Sequence, residues 1–404
     1  MDRRSLPTSD ISQKARLRLM NVLIRLDSLS HPRTGLGYYT ENLVRAIRSG
    51  FSDVTITGYY RGRIIMPEDL VSILDEHVNA QTSSNEGGWN VQSLVDHARS
   101  LVRAIPGAYP ARHVLTDWLG PIKASAVDAS IYHEPTSVPM SFDGPTVLTV
   151  HDMSHVRFPQ YHPRYRVSFL NRYLSKAIPL ARHIITDSEF TRRELCDLFP
   201  AASDKITAIH LGVDDDFRPR SSTETQPVLE KWSLTHGEYI VSVATLEPRK
   251  NLVGLVKAYK DLPARIRDNL PLVLVGGRGW KNRELDRLLS GLDMRSGCII
   301  LTGRTSKTEL TSLISGARLF TYPSFYEGFG LPVAEARASG VPVLTSNRGA
   351  TREIAGDQAI LVDPLDFSDD LKQVLDQKMH RIEPYRFSWN DTARKTVDIY
   401  KTVL

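Results

Sequence analysis

Short apolar runs alternate with longer amphipathic stretches along most of the chain. MNVLIRLD (20–27) carries aliphatic and β-branched residues with few breaks, which predicts a buried strand; a Gly-bearing loop and the helical stretch TENLVRAIRSG (40–50) follow it. Similar runs occur at VTITGYY (54–60), ASIYHEP (129–135), TVLTVHD (146–152), HIITDS (183–188) and ITAIHLGV (206–213). Residues 214–228 (DDDFRPRSSTETQPV) are polar and Pro-bearing and interrupt the pattern where an interdomain linker would fall. The alternation restarts with EYIVSVAT (238–245), LPLVLVGG (270–277), GCIILTG (297–303), RLFTYPS (318–324), VPVLTS (341–346) and AILVDP (359–364). Strands buried on both faces, with helices between them, predict two doubly wound, Rossmann-like parallel-sheet domains at 19–213 and 229–384, after an N-terminal extension over 1–18. A ligand would lie between them, at the carboxyl ends of the strands.

A length of 404 residues exceeds the roughly 250–300 at which one core stops growing, in keeping with two domains. With 41% hydrophobic and 24% charged residues, 25 Gly and 23 Pro, the chain is neither collagen-like, low-complexity nor wholly disordered. Lys and Arg number 51 against 46 Asp and Glu, a net +5 that suits an anionic partner without singling out nucleic acid. Cys196 and Cys298 are the only cysteines, which excludes a disulfide framework and fits a reducing compartment. No run approaches the roughly 20 apolar residues of a spanning helix, and residues 1–18 lack a signal peptide's apolar centre, so a cytoplasmic location is expected.

Chemistry concentrates at strand ends. In YPSFYEGFGLPVAEARASG (322–340) a strand gives way to a Gly-rich turn, and a helix begins near Pro332. The turn leaves backbone N–H groups free at a helix N-terminus, suited to hydroxyl or phosphate oxygens, and Glu327 and Glu335 bracket it; a solvated acidic helix start would look the same for either Glu alone. TLEPRKN (245–251) places the adjacent cations Arg249 and Lys250 at a strand end that opens a helix, where by themselves they read as a surface pair able to offer a bidentate fork and a point charge. TVLTVHDMSH (146–155) puts His151 and Asp152 at a first-half strand end. The first loop holds Gly35 and Gly37 but Thr40 where a dinucleotide fingerprint needs its third Gly. In LTGRTSKTEL (301–310) Arg304 precedes a capping box at Ser306 and Glu309. The acidic run 214–216 reads as a solvated turn in preference to a metal site. Residues 157–193 hold eight basic against two acidic residues among six aromatics, which fits either an anionic lipid surface or a helix with core-facing rings.

Taken in order, Glu327…Glu335 within SFYEGFGLPVAEARASGVPVLTS, EPRKN at 247–251, VHD at 150–152 and SNRGATREIAGDQAILVDP at 346–364 resemble the retaining GT-B glycosyltransferases of family 4. The resemblance covers most of residues 19–370. It implies a nucleotide-sugar donor with no further cofactor and no metal. Glu327 would contact the donor sugar's hydroxyls, Glu335 the ribose, and Arg249 and Lys250 the diphosphate. The amides of Phe329, Gly330 and Leu331 would reach the donor sugar, His151 would lie over it, and Gly35 and Gly37 would form a loop beside the phosphate and acceptor. Arg304 would sit on the base side. The segment 385–404 would cross back as a helix onto the first, acceptor-binding domain. VHDMSHVRFPQYHP and TLEPRKN look most like bacterial mannosyl- and deoxymannosyltransferases of O-antigen or exopolysaccharide assembly, which makes GDP-mannose or GDP-rhamnose the expected donor and UDP-glucose or UDP-N-acetylglucosamine the alternative. Arg164, Arg166, Arg172 and Lys176 would then help hold a polyprenyl-diphosphate-linked saccharide at the inner face of the cytoplasmic membrane. A GT-B-shaped epimerase or phosphorylase, or a non-catalytic sugar-nucleotide sensor, are the rival expectations.

Overall fold

The computed structural model describes residues 20–30, 35–75, 122, 124–290 and 298–404. The predicted N-terminal extension, 1–18, and residues 31–34 of the first loop lie outside them. All twelve strand-like runs form strands. In the first half these are β1 (Met20–Arg25), β2 (Val54–Tyr60), β4 (Ile131–Glu134), β5 (Thr146–Val150), β6 (His183–Thr186) and β7 (Ile206–Ala208). In the second they are β8 (Ile240–Val243), β9 (Leu272–Val275), β10 (Ile299–Gly303), β11 (Leu319–Tyr322), β12 (Val343–Ser346) and β13 (Ile360–Val362). Most are shorter than their apolar runs, because each run continues into the loop that leaves the sheet's carboxyl edge.

One strand is absent from the apolar pattern. β3 (Arg63–Ile65) is a mostly exposed edge strand that pairs antiparallel with β2. The two strands are joined by Arg61 and Gly62, with φ of 52° and 87°, the left-handed pair of a type I′ hairpin. The first sheet has order β3-β2-β1-β4-β5-β6-β7 and the second β10-β9-β8-β11-β12-β13. All other neighbours are parallel. Chain order reverses between β1 and β4 in the first sheet and between β8 and β11 in the second, so the loops leaving these strands flank the crevices where such sheets bind ligands.

Helices α1 (Gly35–Gly50), α2 (Arg164–Leu180), α3 (Glu189–Leu198), α4 (Leu252–Asp261), α5 (Lys307–Ser315), α6 (Leu331–Ala338), α7 (Gly349–Ala355) and α8 (Trp389–Val403) cover the sheets. A continuous apolar cluster runs from Val22 and Ile131 through Ile209 and Val213 to Val241 and Phe320. The crossing between domains is therefore partly core. Gly212 lies so close to the start of α8 that a Cβ there would come within 2.3 Å of the Trp389 nitrogen, and Val213 N–H donates to the Phe387 carbonyl at 2.9 Å. The polar segment read as a linker, 214–228, is not open throughout: Ser222–Leu229 is a helix with a capping box at Ser221 and Glu224, packed on α5. The acidic run at its start is ion-paired and not simply solvated, with Asp214 and Asp216 on Lys307 and Asp215 on Arg386. After crossing back, α8 lies on α1, with Tyr400 hydrogen-bonded to His133 and Lys401 3.0 Å from Asp53.

Candidate active site

The loops after β8 and β11 meet at the second sheet's switch point. Residues 248–250 form a single tight turn, and Asn251 closes it with a left-handed backbone (φ 55°) and an amide that donates to the carbonyls of Pro323 and Pro364. This fixes the two cations against Glu327. Arg249 donates to Glu327 Oε2 at 2.9 Å, to the Tyr326 carbonyl at 2.8 Å and to Glu247 at 2.8 Å. Lys250 Nζ lies 2.6 Å from Glu327 Oε1 and 2.9 Å from the Tyr322 hydroxyl, which itself donates to Oε1 at 3.1 Å. Burial alone would raise the Glu327 carboxyl, but Arg249 and Lys250 outweigh it and hold it below the usual range. Glu327 is thus a buried carboxylate with three hydrogen-bonded partners, 6% exposed, and not a solvated helix start.

Beyond Glu327 the turn runs into α6. Gly330 caps that helix with φ 94°, and Leu331 is its first residue. The side chain of Phe329 is in the core against Phe387 and His210, so only its backbone is presented to the cleft side. Among the described residues, the amides of Phe329, Gly330 and Leu331 donate no hydrogen bond, as at other helix N-termini. Arg304 follows β10 and lies over Gly277, at the end of β9.

Glu335 is partly exposed on α6, away from Glu327's partners. Burial, together with the charge of Asp214, raises its carboxyl to about 8, and Lys307 opposes this. Between its ordinary value of 4.5 and about 8 the folded protein binds a proton that the unfolded chain does not, so its contribution to stability falls as pH rises through this window. Glu335→Gln should flatten this part of the pH–stability curve, by about 1–2 kcal/mol once solvent screening of a partly exposed group is allowed for. Chemical denaturation of both proteins from pH 5 to 8.5 checks it; an unchanged slope would refute it.

On the facing wall, His151 follows β5 and Asp187 follows β6. Nδ1 of His151 is 2.7 Å from Asp187 Oδ2 and Nε2 is 2.8 Å from the Pro135 carbonyl. The Pro135 carbonyl can only accept from Nε2, and a carboxylate at Nδ1 favours the protonated ring. Burial disfavours that charge, but Asp187 outweighs it and raises His151 above its ordinary value. The ring also packs edge-on to Tyr39 at 4.8 Å. Predicted as a sugar ligand, His151 here spends both nitrogens within its own domain, and it is its carbonyl that meets the second domain. Asp152 accepts from the Ser154 N–H and hydroxyl, and those bonds, with Arg249 across the cleft, overcome burial and keep its carboxyl well below the usual range.

The domains touch closely. The Gly328 carbonyl accepts from Ser188 Oγ at 2.7 Å and Thr191 Oγ1 at 3.1 Å, at the start of α3. Tyr326 accepts from the Met153 N–H at 3.0 Å and donates to Glu194. Glu353 of α7 accepts from the Glu189 and Phe190 amides at 3.0 Å and from His210 at 2.6 Å. Sequence reasoning missed these residues. Asp187 at least had a signal, since it sits at a strand end just as His151 does; Tyr326, Glu194 and Glu353 had none.

Two placements differ from expectation. Gly35 and Gly37 belong to the first turn of α1 and not to a loop, because the helix begins five residues before TENLVRAIRSG. The predicted acceptor residues on α2, Arg164, Arg166, Arg172 and Lys176, are all exposed, and Arg166 also lies over the Trp280 ring of the second domain, 5.5 Å from its centre. The neighbouring aromatics mostly pack inward: Phe158 on Tyr326, Tyr161 on Phe325, Phe190 on Tyr326, and Phe169 into the core.

Two parallel-sheet domains with a charged site between their carboxyl edges are the architecture of GT-B glycosyltransferases. Solved structures agree on the fold: Anabaena Alr3699/HepE in complex with UDP and glucose superposes with a TM-score of 0.64 over 95% of this chain and 100% of that one, at 16% identity. WaaG, a glycosyltransferase involved in lipopolysaccharide biosynthesis, does so with a TM-score of 0.58 over 95% and 98%, at 14% identity. Residues 230–396 match the model of glycosyl transferases group 1, and residues 76–217 that of glycosyltransferase family 4. The O-antigen chain mannosyltransferase B of Escherichia coli is 32% identical over 95% of this chain and 100% of its own length. The serotype-specific mannosyltransferase WbdA of the same species is 28% identical over 64% of this chain, which spans 34% of that longer protein. The chain belongs to the group 1, family 4 glycosyltransferases.

Proposed function

We propose that the protein transfers mannose, or a related hexose such as rhamnose, from a GDP-linked donor to a lipid-linked saccharide during O-antigen assembly, with retention of anomeric configuration and without a metal ion. The observation that carries this reading is the Arg249–Lys250 pair held at the second sheet's switch point, in a chain similar end to end to an O-antigen chain mannosyltransferase. Two fixed cations beside free turn amides can balance the charge that develops on a departing diphosphate. Glu327, between both cations, is placed to orient a sugar hydroxyl. Front-face attack forms the new glycosidic bond as the sugar–diphosphate bond breaks, and the departing diphosphate oxygen takes the incoming hydroxyl's proton. His151, with Nδ1 on Asp187 and Nε2 on the Pro135 carbonyl, has no ring nitrogen free to act as a base. Exposed Arg164, Arg172 and Lys176, with Leu180 83% exposed at the end of the same helix, are suited to meeting an anionic membrane surface that presents a polyprenyl-diphosphate-linked acceptor.

The test is incubation with GDP- and UDP-sugars and polyprenyl-diphosphate-linked oligosaccharides in the presence of a chelator, with the anomeric configuration of the product read by NMR. Transfer from GDP-mannose with an α-linked product is expected. Preference for a UDP-sugar would overturn the donor assignment, and an inverted product the mechanism. Flotation with vesicles should show binding that grows with anionic lipid and weakens in the triple variant Arg164→Ala, Arg172→Ala, Lys176→Ala; equal flotation with neutral lipid would count against the membrane role.

A further inference from the structure

The segment HDMSHVRFPQYHPRYR (151–166) leaves β5 and folds as a strap along the first-domain wall. Ser154–Arg157 makes one helical turn, Pro159–Tyr161 makes a tighter one, and Pro163 starts α2. The second domain pins the strap: Trp280 Nε1 donates to the Tyr161 carbonyl at 2.6 Å, and Lys281 donates to the carbonyls of Gln160 and His162. Tyr161 stacks on Phe325, and the His162 ring lies 6.1 Å from that of Trp280. The strap is therefore a built wall of the cleft.

Two imidazoles on it are almost completely buried, His155 at 4% and His162 at 5% exposed. Nε2 of His155, both ring nitrogens of His162 and Nε of Arg249 have no hydrogen-bond partner among the described residues. A buried polar atom without a partner is costly, and native proteins hold few of them. Here four fall on three neighbouring residues, since the charges of Arg249 and His155 both act on His162. Arg249 already belongs to the diphosphate side of the proposed site. The unmatched groups on the strap are thus buried neighbours of that site.

Their chemistry selects the ligand. Burial lowers both imidazoles, and with Arg166 beside it His162 falls to about 4, so both rings are neutral at physiological pH. A neutral imidazole offers one donor and one acceptor, which is what a hydroxyl group matches. A phosphate oxygen calls instead for donors and positive charge, and those are at Arg249 and Lys250. The adjacent indole of Trp280, with the Arg166 guanidinium over its ring, adds aromatic surface of the kind that packs on the C–H face of a pyranose ring.

We infer that His155 and His162, with Trp280 beside them, form the subsite for the terminal sugar of the acceptor, hydrogen-bonding its hydroxyls on the strap and presenting the attacking hydroxyl towards Arg249. The inference rests on the glycosyltransferase reading and adds which residues recognise the acceptor. It makes His162 a binding residue for the acceptor and not for the donor.

The test uses the full chain with His162→Ala, His162→Gln and His155→Ala. Initial rates are measured with a mannose-terminated polyprenyl-diphosphate oligosaccharide at saturating GDP-mannose, and GDP affinity is measured by calorimetry. Losing one or two hydroxyl contacts should raise the acceptor KM about tenfold or more. Affinity for GDP should stay within about twofold. His162→Gln, which keeps a donor and an acceptor, should recover part of the loss, and His162→Leu, which removes an unmatched buried group, should not lower the melting temperature. An unchanged acceptor KM, or an equal loss of GDP affinity, overturns the subsite. If the wild-type protein transfers no sugar, the functional reading fails separately, and NMR titration with methyl α-mannoside and mannobiose in the presence of GDP decides the subsite. Weaker sugar binding in His162→Ala then supports it, and equal binding overturns it.

Discussion

Gly328→Ala should lower the transfer rate about a hundredfold or more while both sheets remain folded. An alanine Cβ at this position would lie 1.8 Å from the His151 carbonyl oxygen, 2.8 Å from its carbon and 2.7 Å from Asp152 Cβ. Backbone atoms stand on both sides of this contact, and no rotamer change relieves it. The domains would have to part, and with them the hydrogen bonds from Ser188, Thr191 and Tyr326 that hold the turn against α3. A misplacement of about 1 Å between reacting groups costs on the order of a hundredfold in rate. Because Arg249 and Lys250 stay in the second domain, GDP affinity should change far less than kcat. Rates at saturating donor, calorimetry with GDP and a thermal melt separate these effects. A wild-type rate would show that this domain contact is not part of the working enzyme.

Glu327→Gln should show opposite effects on binding and turnover. Its carboxylate neutralises two buried cations, and removing one partner of a buried ion pair costs about 3–5 kcal/mol. The variant should melt well below the wild type, and GDP should restore much of the difference, because a diphosphate supplies the missing negative charge. With no carboxylate competing for Arg249 and Lys250, GDP should bind as tightly as to the wild type or more tightly. Transfer should fall about 10²–10³-fold, the size of effect seen when one preorganised transition-state contact is lost. Lys250→Ala should weaken GDP binding and transfer together. If Glu327→Gln kept full activity, or lost GDP affinity in step with rate, its assignment to the sugar side of the site would fail.

The parallel architecture could be read from the chain because strands buried on both faces need continuous apolar runs, as in β5 and β11, and these survive without an alignment. β3 could not be, since an exposed three-residue edge strand has no such run and depends on two left-handed residues at Arg61 and Gly62. The start of α1 was missed because its first turn carries two glycines, which local propensity reads as loop; packing of the later turns against the core and α8 keeps it helical. The aromatics around α2 could not be sorted into lipid-facing and core-facing by spacing, because Phe158, Tyr161 and Phe190 pack on a loop more than 130 residues away.

Residue order alone determined two doubly wound domains, the strand ends where chemistry collects, and a spacing of acidic, basic and glycine residues that resembles one glycosyltransferase family. Those properties follow from periodicity and local turn chemistry, which act over a few residues. Tertiary structure decided which charges meet: that Glu327 bridges Arg249 and Lys250, that His151 is held between Asp187 and the Pro135 carbonyl, and that His155 and His162 are buried near Arg249 with unmatched nitrogens. Through-space contacts between segments 70 or more residues apart, across the second sheet and across the cleft, leave no period in the sequence, and the electrostatics that tune these groups depend on burial that only the folded chain provides.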